Sequence, residues 1–138
     1  MIVLDTNVLS EPLRPSPNPS VISWLDAQSL ETLFVTTLTI AEIRYGIAVL
    51  PQGQRRQSLQ QRFDTEVLPL FDRRVLDFDV AAADAFGDLR GRARAQGVTV
   101  GDMDALIAAV AVVRDVAVAT RDTGPFEALG AEVINPFA

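Results

Sequence analysis

The sequence predicts an α/β fold in which a parallel sheet of about five strands lies between two layers of helices. Three observations support this prediction. Short apolar segments of strand composition alternate with segments of helical periodicity, the 138 residues suit one domain, and 49% of them are hydrophobic. Strands that alternate with helices build a parallel sheet covered on both faces. We therefore expect one three-layer domain over residues 1–138.

The first half of the chain is predicted to contain two strands and three helices. Four prolines between positions 12 and 19 interrupt helix formation, and Ser20 is a plausible cap for the first long helix. Ile40, Ile43 and Ile47 recur at helical spacing, and Pro51 closes that segment. The predicted elements are a strand over residues 1–5, a helix from Ser20 through Leu25, a strand over residues 32–37, a helix over residues 38–50 and an amphipathic helix over residues 54–68.

The second half continues the alternation. Gly97 is a stop signal for a helix with an alanine and leucine stripe, and the apolar run ALIAAVAVV indicates a helix buried on most sides. The predicted elements are a strand over residues 74–78, a helix over residues 80–96, a helix over residues 102–114, a strand over residues 116–120, a helical turn over residues 123–129 and a strand over residues 132–135.

Three absent residue types exclude several chemistries. The chain contains no cysteine, histidine or lysine. Disulfides, zinc–thiolate sites, thiol catalysis, Ser-His-Asp triads, Schiff-base chemistry and the P-loop lysine are therefore excluded. The first apolar run is too short for a signal peptide and no run is long enough for a membrane span, so we expect a cytoplasmic protein without membrane contact.

The net charge of −6 argues against binding to nucleic acid through surplus positive charge. The position of the acidic residues therefore matters. Asp5 follows the first strand, Asp122 follows the fourth, and Glu42 lies early in the helix after the second. In open parallel sheets, ligands bind outside the carboxyl ends of the strands, where the strand order reverses. If strands one and four flank that point, these acids share one crevice.

The start of the helix over residues 102–114 leaves two candidate acids and two placements open. Asp102 follows Gly101 and fits a helix cap, whereas Asp104 is a first-turn residue that can point elsewhere. A direct connection to the fourth strand is expected to place this helix start at the opposite sheet edge. A long helix packed obliquely would place it at the crevice.

Most of these acids also have a local explanation. Asp5 could cap the next helix and Asp122 could be a turn residue, but Glu42 sits among apolar neighbours where an unpartnered carboxylate is costly.

Carboxylates in one crevice repel each other, and a divalent ion relieves this repulsion. Oxygen ligands alone favour Mg²⁺ or Mn²⁺, which usually serve phosphate chemistry.

Four segments together resemble the PIN domain of VapC-type toxins, in the FitB-like subgroup. MIVLDTNVLSE carries Asp5, TLTIAEIRYGI carries Glu42, DALIAAVAV carries Asp104, and ATRDTGPFEALGAEVINPF carries Asp122. The match covers essentially the whole chain, with the four motifs in order. One departure concerns the last motif, which often reads Thr-Arg-Asn with an aspartate before the phenylalanine. Here Asp122 replaces the asparagine and Pro125 precedes Phe126.

The resemblance implies a three-layer α/β/α PIN-like fold and Mg²⁺- or Mn²⁺-dependent hydrolysis of RNA by a metal-activated water. It implies that Asp5, Glu42, Asp104 and Asp122 are the catalytic and metal-binding residues, with Asp102 as a competitor for the third position. It also implies a small DNA-binding antitoxin as partner, and a homodimer that can assemble further with it. An antitoxin arginine or lysine could block the metal site.

Supporting residues are expected around these carboxylates. Thr6 and Thr120 could hydrogen-bond the water or the scissile phosphate, and Asn7 could hold the loop, although ordinary turn bonding also explains all three. Arginines could supply local positive surface for RNA. The candidates are Arg14, Arg55, Arg56, Arg73, Arg74 and Arg121, of which Arg121 and Arg14 are the RNA contacts we predict.

Rival functions fit less well. A haloacid dehalogenase-type phosphotransferase would need a second aspartate where Asn7 stands, and both it and a receiver domain would need a lysine. A catalytically inactive RNA-binding or regulatory protein of the same fold, acting with a small antitoxin, is the main alternative. A pure protein-interaction module is a third.

Overall fold

A computed structural model describes residues 1–138 and contains five strands in one sheet. The strands are β1 (Ile2–Leu4), β2 (Leu33–Thr36), β3 (Val75–Leu76), β4 (Ala117–Ala119) and β5 (Val133–Ile134). Their order is β3-β2-β1-β4-β5, and every neighbouring pair is parallel. The order reverses between β1 and β4, which pair directly, so the predicted sheet and its reversal point are confirmed.

Seven α-helices connect and flank these strands. They are α1 (Thr6–Leu9), α2 (Pro19–Ala27), α3 (Thr37–Ala48), α4 (Gln54–Arg62), α5 (Val80–Ala95), α6 (Asp102–Arg114) and α7 (Thr123–Ala128). Shorter 3-10 turns span Glu11–Leu13, Leu30–Thr32 and Leu68–Phe71, and a π turn spans Phe63–Val67. None of the helices has the length and apolar character needed to cross a bilayer.

Two apolar clusters on opposite faces of the sheet create the three layers. Successive residues in a strand point to opposite faces. Val3 and Val118 accordingly pack with α5, α6 and α7, whereas Leu4 and Ala119 pack with α1 to α4. The core of the first face is formed mainly by the buried residues of α6 between Ala105 and Ala111. The sheet is thus covered on both faces, as predicted.

Two helix ends differ from the prediction. Ser20 does not cap α2; the side chain of Asn18 accepts a hydrogen bond from the Ser20 backbone, and Pro19 is the first helical residue. Proline is tolerated there because the first turn has no intrahelical partner for its amide. The amphipathic segment predicted over residues 54–68 is α-helical only to Arg62 and ends in the wider π turn.

Candidate active site at the carboxyl edge of the sheet

Asp5 stands at the centre of the carboxyl edge, directly after β1. Asp5 is buried, with only 4% of its surface exposed to solvent. One carboxylate oxygen accepts a hydrogen bond from the backbone of Thr6 at 2.8 Å, which caps α1. The other oxygen accepts one from the Thr120 hydroxyl at 2.8 Å, across from β4. Asp5 therefore caps a helix and also joins the two strands that flank the reversal point.

The loops after β1 and β4 are tied together around Asp5. The Asn7 amide lies 3.4 Å from Asp5 and 3.5 Å from Asp122, and its oxygen accepts a hydrogen bond from the backbone of Arg121. The Thr120 hydroxyl also accepts from the backbone of Asp122 at 3.0 Å. Asp122 itself is exposed, and its side chain does not cap α7 although it precedes that helix.

Glu42 reaches the same edge from α3. The Thr6 hydroxyl donates to a Glu42 carboxylate oxygen at 2.5 Å. Arg44, the nearest basic residue in sequence, pairs instead with Asp64 at 2.6 Å. Glu42 is thus linked to the β1 loop and has no cationic partner.

Asp104 also belongs to this edge, and the structure corrects our expectation for a direct connection. Helix α6 leads straight into β4, yet its first turn lies near Asp5, close enough for the charge of Asp104 to raise the pKa of Asp5. A helix that returns the chain to the start of a parallel strand runs against the strand direction. Its first turn therefore lies at the carboxyl ends of the strands, and no oblique packing is needed.

Asp102 is drawn away from the crevice. Its side chain is 79% exposed and pairs with Arg90 at 2.5 Å. The residue at the cap position of α6 is Gly101, so the cap role expected for Asp102 is wrong. Asp104, not Asp102, is the first-turn acid that faces the other carboxylates.

Burial and mutual repulsion perturb this group of acids. Burial, together with the charges of the nearby Asp104 and Glu42, raises the pKa of Asp5 to about 6, although the hydrogen bonds from Thr120 and Thr6 act to lower it. Burial, followed by the charges of Asp122 and Glu42, also raises the pKa of Asp104. None of the ion pairs in the structure includes Asp5, Glu42, Asp104 or Asp122.

The raised pKa of Asp5 predicts that, without divalent ions, the protein loses stability as pH rises. The folded protein binds more protons than the unfolded chain between the ordinary aspartate pKa of 3.8 and about 6. The free energy of unfolding contributed by Asp5 is therefore full below pH 4 and falls by about 3 kcal/mol above pH 6.

Thermal unfolding in a chelator, from pH 4 to pH 8, measures this effect. The Asp5→Asn variant cannot ionise at this position, so its melting temperature should fall less with pH and exceed that of the parent at neutral pH. An equal pH dependence in both proteins would contradict the assignment of the raised pKa to Asp5.

The arrangement of these acids fits a hard cation only in part. Carboxylate and hydroxyl oxygens are the donors present, which is the set that Mg²⁺ and Mn²⁺ prefer. However, no three acidic side chains lie close enough together to ligate one ion in the present side-chain positions. Mg²⁺ usually binds through one or two carboxylates and keeps several waters, so this spacing is compatible with a hydrated ion.

Three of the six predicted arginines lie in clearly different surroundings. Arg14 lines a groove of about 300 Å³ together with Arg55, Thr6 and Glu42. Arg74 instead donates to the backbone carbonyls of residues 30, 33 and 70 and stacks on Phe71, which makes it a structural tie between β3 and its neighbours.

One buried acid at this edge was missed by the sequence reasoning. Glu11 is 1% exposed and contacts both Arg14 and Arg121. Its spacing to Arg14 on a helical turn is a weak sequence signal for an ion pair, but nothing local indicates that the carboxylate is buried.

Comparison with known proteins gives a family match over most of the chain. The PIN domain model matches residues 2–132. Three curated relatives align with 99% of this chain. The plasmid stability protein StbB of Pseudomonas syringae pv. tomato is 52% identical, and 99% of it is covered. The VapC ribonuclease Y4jK of Sinorhizobium fredii is 48% identical with 98% covered, and the toxin FitB of Neisseria gonorrhoeae is 44% identical with 99% covered.

Solved structures give the same relationship. The crystal structure of FitAcB from Neisseria gonorrhoeae superposes with a TM-score of 0.96 at 44% identity and covers 99% of both chains. A structure of FitAB bound to an IR36 DNA fragment superposes with a TM-score of 0.96 at 43% identity, and covers 100% of this chain and 96% of that one.

Proposed function

This chain belongs to the PIN-domain family and, within it, to the VapC and FitB toxins of toxin–antitoxin systems, and from this membership we propose that it is a metal-dependent endoribonuclease. The observation that carries the proposal is the group of four carboxylates at the reversal point of the sheet. No arginine forms an ion pair with any of them. A divalent cation would relieve the repulsion within such a group, and in phosphodiester hydrolysis it can activate a water molecule and stabilise the charge on the leaving oxygen.

In this proposal Asp5, Glu42 and Asp104 hold the first Mg²⁺ or Mn²⁺, directly or through water. Asp122 completes the site or helps to hold a second ion. When bound, the ion would make a water molecule more acidic and stabilise the charge on the leaving oxygen.

The neighbouring polar residues orient these carboxylates. Thr120 and the Thr6 backbone fix both oxygens of Asp5, so its side chain is held before any ion arrives. The Thr6 hydroxyl aims Glu42, and Asn7 couples the loop of Asp5 to the loop of Asp122. Outer hydrogen bonds of this kind typically contribute a factor of roughly 10 to 100 to metal affinity or activity.

A small DNA-binding antitoxin is the proposed partner. Among the solved relatives, FitAB is bound to an IR36 DNA fragment. We propose that this chain likewise pairs with an antitoxin, forms a homodimer, and can assemble further in the complex. We propose that the protein acts in the cytoplasm, which is where RNA and a DNA-bound partner would meet it.

The proposal is tested by expressing the toxin and mapping RNA ends, and by assaying the purified protein with total RNA. Cleavage should require Mg²⁺ or Mn²⁺, stop on addition of a chelator, and stop on addition of the co-purified antitoxin. Cleavage that is unchanged in a chelator would contradict the metal requirement.

The alternative is a catalytically inactive PIN protein that binds RNA or regulates through its antitoxin. It would be favoured if the purified protein bound RNA but showed no stimulation of cleavage by either ion. The presence of all four acids in one crevice argues against it.

A further inference from the structure

Glu11 is the buried glutamate of this protein, and it lies beside the candidate active site. It begins the 3-10 turn Glu11–Leu13 that follows α1, and its side chain is 2% exposed. Burial of a carboxylate is costly unless cations and hydrogen bonds compensate. The partners of this carboxylate therefore indicate what the buried acid does.

Two arginines share this one carboxylate. Arg14 donates to both carboxylate oxygens, at 3.0 and 3.4 Å, and Arg121 lies 3.9 Å away. The arginine side chains are 61% and 50% exposed, so each guanidinium also faces solvent. Two cations and one anion leave the cluster with net positive charge, and guanidinium groups have donors left for another anion.

Both arginines border the acidic crevice. Arg14 lines the same groove as Thr6 and Glu42. Arg121 lies in the chain between Thr120 and Asp122, and its guanidinium stacks on the ring of Phe137 at 4.2 Å. The cluster is thus a local positive surface at the rim of a negatively charged site.

The arrangement differs from the ordinary ion pairs of this protein. In the pairs Arg62–Glu66 and Arg92–Asp88 both side chains are exposed, and such pairs contribute little to stability. At Glu11 the anion alone is buried while the cations stay accessible. A buried acid of this kind restricts where two flexible arginines can lie.

We propose that Glu11 is a positioning residue that holds Arg14 and Arg121 as one binding site for a backbone phosphate of RNA at the rim of the crevice. This inference rests on the proposed ribonuclease function. Arginine recognises phosphate through paired N–H donors, which requires a fixed orientation. The site also explains how a chain of net charge −6 brings RNA to four carboxylates.

Replacement of Glu11 distinguishes a role in positioning the two arginines from a simple effect of its negative charge on RNA binding. Glu11→Gln removes a negative charge near the crevice, so simple electrostatics predicts tighter RNA binding. Positioning predicts the opposite, because the arginines lose their shared anchor. We expect RNA binding to weaken roughly three- to tenfold, the scale of one phosphate contact.

The measurement uses a short single-stranded RNA and the Asp5→Asn background, so that the probe is not cut. Arg14→Gln and Arg121→Gln should each weaken binding and reduce the slope of log affinity against log salt by about 0.7. Arg92→Gln, an exposed arginine paired with Asp88, is the matched control and should bind RNA as the parent does. Unchanged or tighter binding by Glu11→Gln would overturn the proposal.

A double-mutant cycle separates positioning from a folding defect. If Glu11 acts through the two arginines, Glu11→Gln should have no further effect on RNA binding once Arg14 and Arg121 are both glutamine. The triple variant also avoids leaving Glu11 buried without cations. Additive effects in proteins with equal melting temperatures would contradict the positioning role.

Kinetics distinguish this inference from the proposed function. In the cleaving protein, Glu11→Gln should raise KM by the same factor as it weakens binding, with kcat unchanged. If the parent cleaves RNA and Glu11→Gln has parental KM, the inference fails and the ribonuclease proposal stands. If the parent does not cleave, the ribonuclease proposal fails, and the binding series still decides whether the phosphate site exists.

Discussion

Asp5→Asn is expected to abolish RNA cleavage, with a loss of more than about 100-fold, the upper end for residues that only support a metal ligand. The variant keeps the shape of the side chain, and its amide oxygen can still accept the hydrogen bond that caps α1. It loses the charge that would hold the ion. Growth of cells that express the toxin and the rate of RNA cleavage both report the loss.

Two further measurements make this result specific. The variant should fold and bind the antitoxin as the parent does, and added Mn²⁺ should raise the melting temperature of the parent but not of the variant. Asp26→Asn, which changes an exposed aspartate on α2, is the control for loss of one negative charge and should cleave normally. Full cleavage by Asp5→Asn would refute the assignment of the site.

Asp104→Asn and Asp102→Asn form a matched pair with opposite expected outcomes. Both change the same functional group within the first turn of α6. Asp104 interacts with Asp122 and Glu42 in the crevice, so its loss should reduce cleavage more than about 100-fold by the same reasoning. Asp102 is exposed and paired with Arg90, and exposed pairs contribute about 1 kcal/mol or less.

Initial rates of RNA cleavage at saturating Mg²⁺ measure both variants, and thermal unfolding checks that both fold. Asp102→Asn should retain nearly parental activity. The reverse order of activities would show that Asp102 is the functional acid and that the crevice is assembled differently.

Much of the fold could be predicted because its signals are local. The buried strand at residues 2–4, the isoleucine stripe of α3 and the apolar run of α6 each follow from periodicity within a few turns of chain. The alternation of these elements is sufficient to predict a parallel sheet with a crevice at its carboxyl edge. The positions of Asp5 and Glu42 relative to the predicted strands are therefore enough to place both residues near that edge.

The placement of Asp104 depends on the direction of α6 relative to the strands, and the expectation that a direct connection puts the start of this helix at the opposite sheet edge is wrong. A direct return to β4 brings the start of α6 to the crevice, because the helix runs against the strands. The prediction about the cap of α2 was wrong for a smaller reason. Asn18 and Ser20 are both good caps, and only the backbone geometry selects between them.

Composition and local pattern are enough to predict the succession of strands and helices along the chain, the motif acids and the restriction to oxygen-donor chemistry. They do not predict that Asp102 pairs with Arg90 outside the crevice, that Glu11 is buried, or that Arg14 and Arg121 both contact it. Burial and ion pairing arise from contacts between distant segments. Arg121 is more than one hundred residues from Glu11, so no local pattern could bring them together.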